Sequence, residues 1–313
     1  MEYGDKHILV LGAGASGIGA SWVLAQVGAH VVLNDYKPVT LPAAEEERLV
    51  SAGVEIITGR QDESLLDGVN RIVISPGISL DIPIVKAAQT RGIDVVSEVE
   101  LAYEISKSPI VAVTGTNGKT TTTTLLTKVL EGSGKPVRVG GNIGDSLSEV
   151  AYSMPAGGFL VAELSSYQLE TIKHFRPIGA IMLNITPDHL ARHKTMENYI
   201  AAKERIFENQ LESDFLVLNI DDSVVADMEH RAPSHILQIS QKQSVENGAY
   251  YANSQCYVVK NGVKTPVIGD EDIHIPGSHN IENILTVIAL TYALGVPVEE
   301  IHRIISEFHG VEH

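Results

Sequence analysis

The chain has 313 residues, long for one domain and comfortable for two, and is 44% hydrophobic and 20% charged, ordinary figures for a globular protein with a core. With 23 Lys and Arg against 39 Asp and Glu, the formal net charge is −16, which argues against general nucleic-acid binding and requires any phosphate ligand to be held by a local site. Cys256 is the only cysteine, so an intrachain disulfide is excluded, and the apolar run Ile8–Leu11 is too short for a signal or membrane segment. These features predict a soluble cytoplasmic protein.

In chain order, a strand at Ile8–Leu11 runs into Gly12-Ala13-Gly14-Ala15-Ser16-Gly17, followed by a helix over 18–27. A second strand, His30–Leu33, closes on Asn34-Asp35. Helical 43–52 leads to extended 54–57, then to a strand Arg71–Ile74 ending in Ser75-Pro76-Gly77, a helix over 84–91 and an extended 94–97. Strands alternating with helices predict a mainly parallel, layered sheet.

A second series begins near Glu98. Strands are predicted at 110–113, 137–139, 159–162, 180–183 and 215–218, with a helix over 120–131 after the first. Each strand stops at a polar or glycine-rich segment, and ligands in open α/β sheets sit beyond the carboxyl ends of strands. Tyr250–Lys260 and Val263–Ile268 flank Asn261-Gly262, a hairpin signal. A final apolar helix is expected over 283–294.

The strongest motif is Val113-Thr114-Gly115-Thr116-Asn117-Gly118-Lys119-Thr120, between a strand and a helix. Backbone N–H groups of a Gly-rich turn at a helix N-terminus form an anion site, with Lys119 reaching terminal phosphates and the Thr120 hydroxyl on Mg²⁺. The usual pattern has glycine where Val113 stands, so this is a shortened variant.

Glu163, at a strand end, suits a Mg²⁺ ligand, or is a solvated acid there. Thr195 is predicted to cap a helix from Met196, whose apolar stripe (Met196, Tyr199, Ile200, Ile206, Phe207) also contains Lys203. Periodicity leaves a snorkelling or ion-paired lysine as the plainer reading and an amine tuned by its surroundings as the sharper one. His189 and His193, four apart, have zinc-ligand spacing on a helix, but Pro187 and the lack of a following Glu disfavour it, and one histidine at a Mg²⁺ or substrate site is preferred. Gly12 to Gly17 with Asp35 fits a dinucleotide fingerprint, whose geometry can cradle any nucleotide diphosphate. Asn280 and Asn283 share a helix face and suit either capping or an adenine edge.

Together these residues resemble the Mur ligases, the ATP-dependent amide-bond-forming enzymes of peptidoglycan precursor synthesis. Thr114 to Thr124, Gly141-Asn142-Ile143-Gly144 and Gly277 to Asn283 match the shared signatures. Glu163 to Glu170, Asn184 to His189 and Ala202 to Phe207 look most like the D-glutamate-adding member. The resemblance runs along the whole chain. It implies a Rossmann-like parallel-sheet domain over 1–97 that binds the UDP substrate, then a central P-loop ATPase-type α/β domain over 98–309. Residues 310–313 would open a third domain, so a chain ending there is expected to bind UDP substrate but ligate poorly or not at all.

The resemblance implies substrate contacts at Gly14, Ala15, Ser16, Asp35, Tyr36, Lys37, Gly77, Asn142, Ser165, Gln168 and His189. ATP would be held by Gly115, Thr116, Asn117, Gly118, Lys119, Thr120 and Thr121, with Asn280 and Asn283 at adenine. Thr120, Glu163, His189 and a carbamylated Lys203 would ligate Mg²⁺, and Lys119, Lys203, His189 and Glu163 would be the catalytic set. A desolvated amine is neutral more of the time and can react with CO₂. The implied partners are UDP-N-acetylmuramoyl-L-alanine, D-glutamate and ATP, with no nucleic acid, no membrane insertion and a monomeric protein. Another Mur ligase, folylpolyglutamate synthase, an NAD-dependent oxidoreductase and a non-catalytic nucleotide sensor are the alternatives.

Overall fold

The computed structural model describes residues 3–311, and these form two compact units. Of the segment 310–313 expected to open a third domain, residues 312 and 313 lie outside the described residues. No helix among the described residues is long and apolar enough to cross a membrane.

The first unit comprises residues 3–107, 144–154 and 167–175. Its sheet has strands β1 (His7–Leu11), β2 (His30–Asp35), β3 (Glu55–Thr58), β4 (Arg71–Ile74) and β5 (Asp94–Ser97), all parallel, in the order β3-β2-β1-β4-β5. The order reverses between β1 and β4, and a doubly wound sheet offers its ligand crevice at such a point, beyond the strands' carboxyl ends. Leu9 and Leu11 face one apolar cluster and Ile8 and Val10 another, the alternation of a strand buried on both faces.

This unit reaches beyond the 1–97 segment. The helix Glu98–Ile105 buries Leu101 in the core of the first unit, with Ile105 packed against it. Two buried carboxylates on that helix then collect the later segments. Glu98 Oε1 accepts from Ser146 Oγ (2.6 Å), Ser148 N (2.7 Å) and Ser148 Oγ (2.8 Å). Glu100 accepts from three successive backbone N–H groups, those of Lys173, His174 and Phe175. A buried carboxylate needs several donors to offset lost hydration, and the two excursions supply them.

The second unit comprises residues 108–143, 155–166 and 176–311. Its strands are β6 (Ile110–Thr114), β7 (Val137–Gly141), β8 (Phe159–Glu163), β9 (Gly179–Met182), β10 (Phe215–Asn219), β11 (His235–Ser240), β12 (Gly248–Ala252), β13 (Gln255–Lys260) and β14 (Val263–Gly269). They are ordered β14-β13-β12-β11-β10-β9-β6-β8-β7, parallel from β7 to β12 and antiparallel at β13 and β14. β6, β8 and β9 are buried at every residue, as central parallel strands must be.

Three expectations change here. The run 250–260 is not one strand: Asn253 and Ser254, both at positive φ, turn β12 into β13, so the sheet ends in a three-stranded meander. β11, interrupted by Gln238, was not apparent from the run of apolar residues. The helix Ser278–Ala293 is not the last, because Val298–Ser306 follows and buries Ile301, Ile304 and Ile305.

Candidate active site

In the second unit the site grows from the end of β6. Gly115 has φ +150°, and a Cβ there would meet Leu183 Cβ at 2.8 Å. Gly118 has φ +83°, a left-handed conformation that glycine adopts without strain, and precedes the helix Lys119–Glu131. Asn184 fixes the loop between them. Its Oδ1 accepts from Asn117 N (2.8 Å), its Nδ2 donates to Asn117 O (3.0 Å), and its carbonyl accepts from Thr116 N (2.9 Å). Asn184 was legible only as part of a signature; its role as the loop's brace needed the structure.

Two amines converge on this loop. Lys119 Nζ donates to Gly115 O (3.1 Å) and Thr116 O (2.9 Å). Lys203 Nζ donates to Gly115 O (2.8 Å) and Thr114 Oγ1 (3.3 Å). Lys203 is only 2% exposed. Burial, reinforced by the charge of Lys119 and opposed by Asp188, pulls its amine down to about 7. This favours the tuned amine over the snorkelling one. Thr195 does cap the lysine's helix, accepting from Asn198 N, and the helix runs Met196–Glu204.

Glu163 ends β8 and is 1% exposed. Its Oε1 accepts from Asn142 Nδ2 (2.9 Å), while its Oε2 is buried with no hydrogen-bond partner. Gly141, at φ +112°, brings β7 so close that a Cβ would lie 2.4 Å from Glu163 O. A buried carboxylate oxygen without a partner is costly in water's absence and suits a hard cation such as Mg²⁺. Thr120 is exposed and Thr121 half-buried at the start of the following helix.

His189 and His193 do not share a helix face. His189 stands before the four-residue helix Leu190–His193 at φ +52°, half-exposed and 3.3 Å from Asp188. His193 is buried, with Nε2 2.9 Å from Ser166 Oγ. No three His, Cys, Asp or Glu side chains converge as a metal cage among the described residues. Asn283 is buried; a Cβ on Gly118 would lie 2.6 Å from its Oδ1, and its Nδ2 donates to Asn280 Oδ1. Asn283 therefore buttresses the loop, and half-buried Asn280 is the more accessible amide. Ser165 is half-buried two residues beyond Glu163.

The first unit has its own candidate site. Gly17 packs so tightly that a Cβ would lie 1.8 Å from Gly12 O. Asp35 closes the turn, accepting from Ala13 N (3.0 Å) and Lys37 N (3.0 Å). A cavity of about 610 Å³ is lined by Asp35, Tyr36, Lys37 and Gly77, joined by Gln61, Ile78, Ser79 and Ile82, which motif reading missed. Gly14, Ala15 and Ser16 lie at the start of the helix Ala15–Gln26, outside that lining. Gln168 is buried at 2% exposure.

A sequence model of the Mur ligase middle domain matches residues 113–291, and one of the MurD-like N-terminal domain of Mur ligases matches residues 6–97. The chain is 46% identical over 314 residues to the UDP-N-acetylmuramoylalanine–D-glutamate ligase of Caldanaerobacter subterraneus, covering 100% of this chain and 69% of that protein. It is 42% identical over 312 residues to the enzyme of the same name from Halalkalibacterium halodurans, covering 100% of this chain and 68% of the relative. A crystal structure of UDP-N-acetylmuramate:L-alanyl-γ-D-glutamyl-meso-diaminopimelate ligase from Neisseria meningitides shares the fold, with TM-score 0.67, 21% identity and coverage of 99% and 100%.

Proposed function

The chain belongs to the Mur ligase family of ATP-dependent amide-bond-forming ligases, and on that premise we propose that it serves the addition of D-glutamate to UDP-N-acetylmuramoyl-L-alanine. The observation that carries the reading is the convergence of two lysine amines on one loop, with a buried, partnerless oxygen of Glu163 at the end of the strand neighbouring β6. The amines suit phosphate anions, and the oxygen suits the cation that accompanies them.

In this reading ATP phosphates lie on the backbone N–H groups of Gly115 to Thr121, and Lys119 leaves the loop carbonyls to bind them. Mg²⁺, when bound, offsets the charge of carboxylate and phosphate brought together. Thr120, Glu163, His189 and Lys203 are the residues that would hold it. The alanyl carboxylate takes the γ-phosphate to become an acyl phosphate. The amine of D-glutamate attacks the acyl carbon, an amide bond forms, and phosphate leaves. Asn142 and Ser165 orient the substrate, Asn280 faces adenine, and the cavity at Asp35, Tyr36, Lys37 and Gly77 takes the uridine part, with Gly14 to Ser16 near its diphosphate.

Lys203 enters this scheme as a carbamate. Its neutral amine forms an N–C bond to CO₂ and loses a proton, leaving an anionic oxygen ligand for a hard cation. The buried amine near neutrality supports this. A ¹³C carbamate resonance in ¹³CO₂-equilibrated protein, absent from Lys203→Ala, is the expected result. The protein is read as a cytoplasmic monomer; sedimentation checks the second term.

Calorimetry tests the whole reading. Separate saturable binding of ATP with Mg²⁺ and of UDP-N-acetylmuramoyl-L-alanine is expected. Tight folate binding, or NADH fluorescence enhancement on mixing, would replace it with one of the alternatives.

A further inference from the structure

His193 has zinc-ligand spacing from His189 but ends up elsewhere, on a chain of buried contacts within the second unit. Its Nε2 lies 2.9 Å from Ser166 Oγ, and both residues are buried, at 6% and 1% exposure. Ser166 is three residues past Glu163, on the segment that leaves β8. His193 itself closes the short helix that starts directly after His189. The imidazole therefore bridges the two chain segments that carry Glu163 and His189.

The same ring also leads to the phosphate loop. Its centroid lies 5.3 Å from that of Tyr199. Tyr199 Oη is 3.0 Å from Thr116 Oγ1, and Lys203 Nζ lies 5.0 Å from the Tyr199 ring centre. On the chain's other side Asn198 Nδ2 donates to His193 O (2.9 Å), so backbone and ring are both held. A side chain fixed this way in a dense interior transmits position, because its neighbours have no free volume in which to drift. Groups beyond a metal's direct ligands set ligand geometry through such hydrogen bonds.

We infer that His193 is a positioning residue, which holds the Glu163 segment and the His189 segment at the spacing that a divalent cation requires. The inference rests on the reading of Glu163 and His189 as cation ligands. It assigns to His193 no contact with cation, nucleotide or substrate.

The test uses Mn²⁺ as the cation and the non-hydrolysable ATP analogue AMP-PCP, on the whole chain. Mn²⁺ affinity is measured by electron paramagnetic resonance in the presence of the analogue, and analogue affinity is measured by calorimetry without metal. His193→Phe keeps the ring and loses the nitrogen; it is expected to weaken Mn²⁺ binding ~10-fold while metal-free analogue binding stays unchanged. His193→Gln, which returns a polar group near Nε2, is expected to recover most of the loss. Ser166→Ala is expected to match His193→Phe, and the double variant to lose no more than either, because both remove one shared hydrogen bond. Unchanged Mn²⁺ affinity in His193→Phe and Ser166→Ala overturns the inference. So does an equal loss of metal-free analogue binding, which marks a merely structural role, or additive losses in the double variant. Should His193→Phe fail to fold, Ser166→Ala and His193→Gln decide on the same two readouts. Wild-type protein that binds the analogue but no Mn²⁺ removes instead the cation reading on which the inference stands.

Discussion

The turns after β1 and after β6 begin alike. Each follows a buried parallel strand, each opens on a glycine at positive φ, Gly12 and Gly115, and each delivers the chain into a helix. They differ in the charge brought to them. The first is closed by a carboxylate, Asp35, accepting from Ala13 N. The second is lined by two amines, Lys119 and Lys203, donating to its carbonyls. One backbone design thus carries two different charge environments, set by the side chains that reach the turn. An acid beside a Gly-rich turn suits hydroxyl or imide donors of a nucleoside, whereas paired amines suit a polyphosphate.

The largest break of this contrast is expected at Lys119. Lys119→Ala should weaken ATP binding by ~10³-fold, by loss of a charge-assisted phosphate contact in a preorganised site, and leave UDP-substrate binding intact. Calorimetry with each ligand checks both halves, and equal losses would dissolve the distinction between the turns.

Next in size is Lys203. The unfolded amine holds its proton up to about 10.5 and the folded one only to about 7, so the unfolded state binds more protons in between, and stability rises with pH across that window. Lys203→Met removes the burden. It should stabilise the fold by ~3 kcal/mol below pH 7, with the gain fading as pH approaches 10, as denaturant midpoints would show. A pH-independent gain would mean that the amine is not perturbed by burial.

Gly118→Ala is expected to cost ~2 kcal/mol, since it combines a positive φ with a Cβ pressed on Asn283, and to weaken ATP more than UDP-substrate binding. Thermal melts and both titrations report it. The smallest effect is expected at Asp35. Asp35→Asn keeps the shape of the side chain and removes its charge, so UDP-substrate affinity should fall ~10-fold with ATP affinity unchanged. Loss of ATP binding in that variant would mean that the two sites are coupled.

Much of this was legible along the chain because it is local. The glycine pattern, Gly-Lys-Thr after an apolar run, the Thr195 cap and the lysine within an apolar stripe all depend on neighbours a few residues apart. Strand periodicity also placed most parallel strands. It merged β12 with β13, because Asn253-Ser254 lacks the glycine that marked the next turn, and it missed Val298–Ser306 beyond what looked like the last helix.

What sequence alone determined was the inventory of chemical groups: a Gly-rich turn carrying Gly-Lys-Thr, an acid at a strand end and an amine where an apolar residue belongs. Tertiary structure decided who faces whom. It packed Asn283 against Gly118, gave Asn184 the bracing of the loop, and set His193 against Ser166. It also sent 144–154 and 167–175 into the first unit, onto Glu98 and Glu100. Most of these outcomes rest on hydrogen bonds between residues up to 75 positions apart, and the need of a buried polar group for a partner selects that partner by space, which no local spacing encodes.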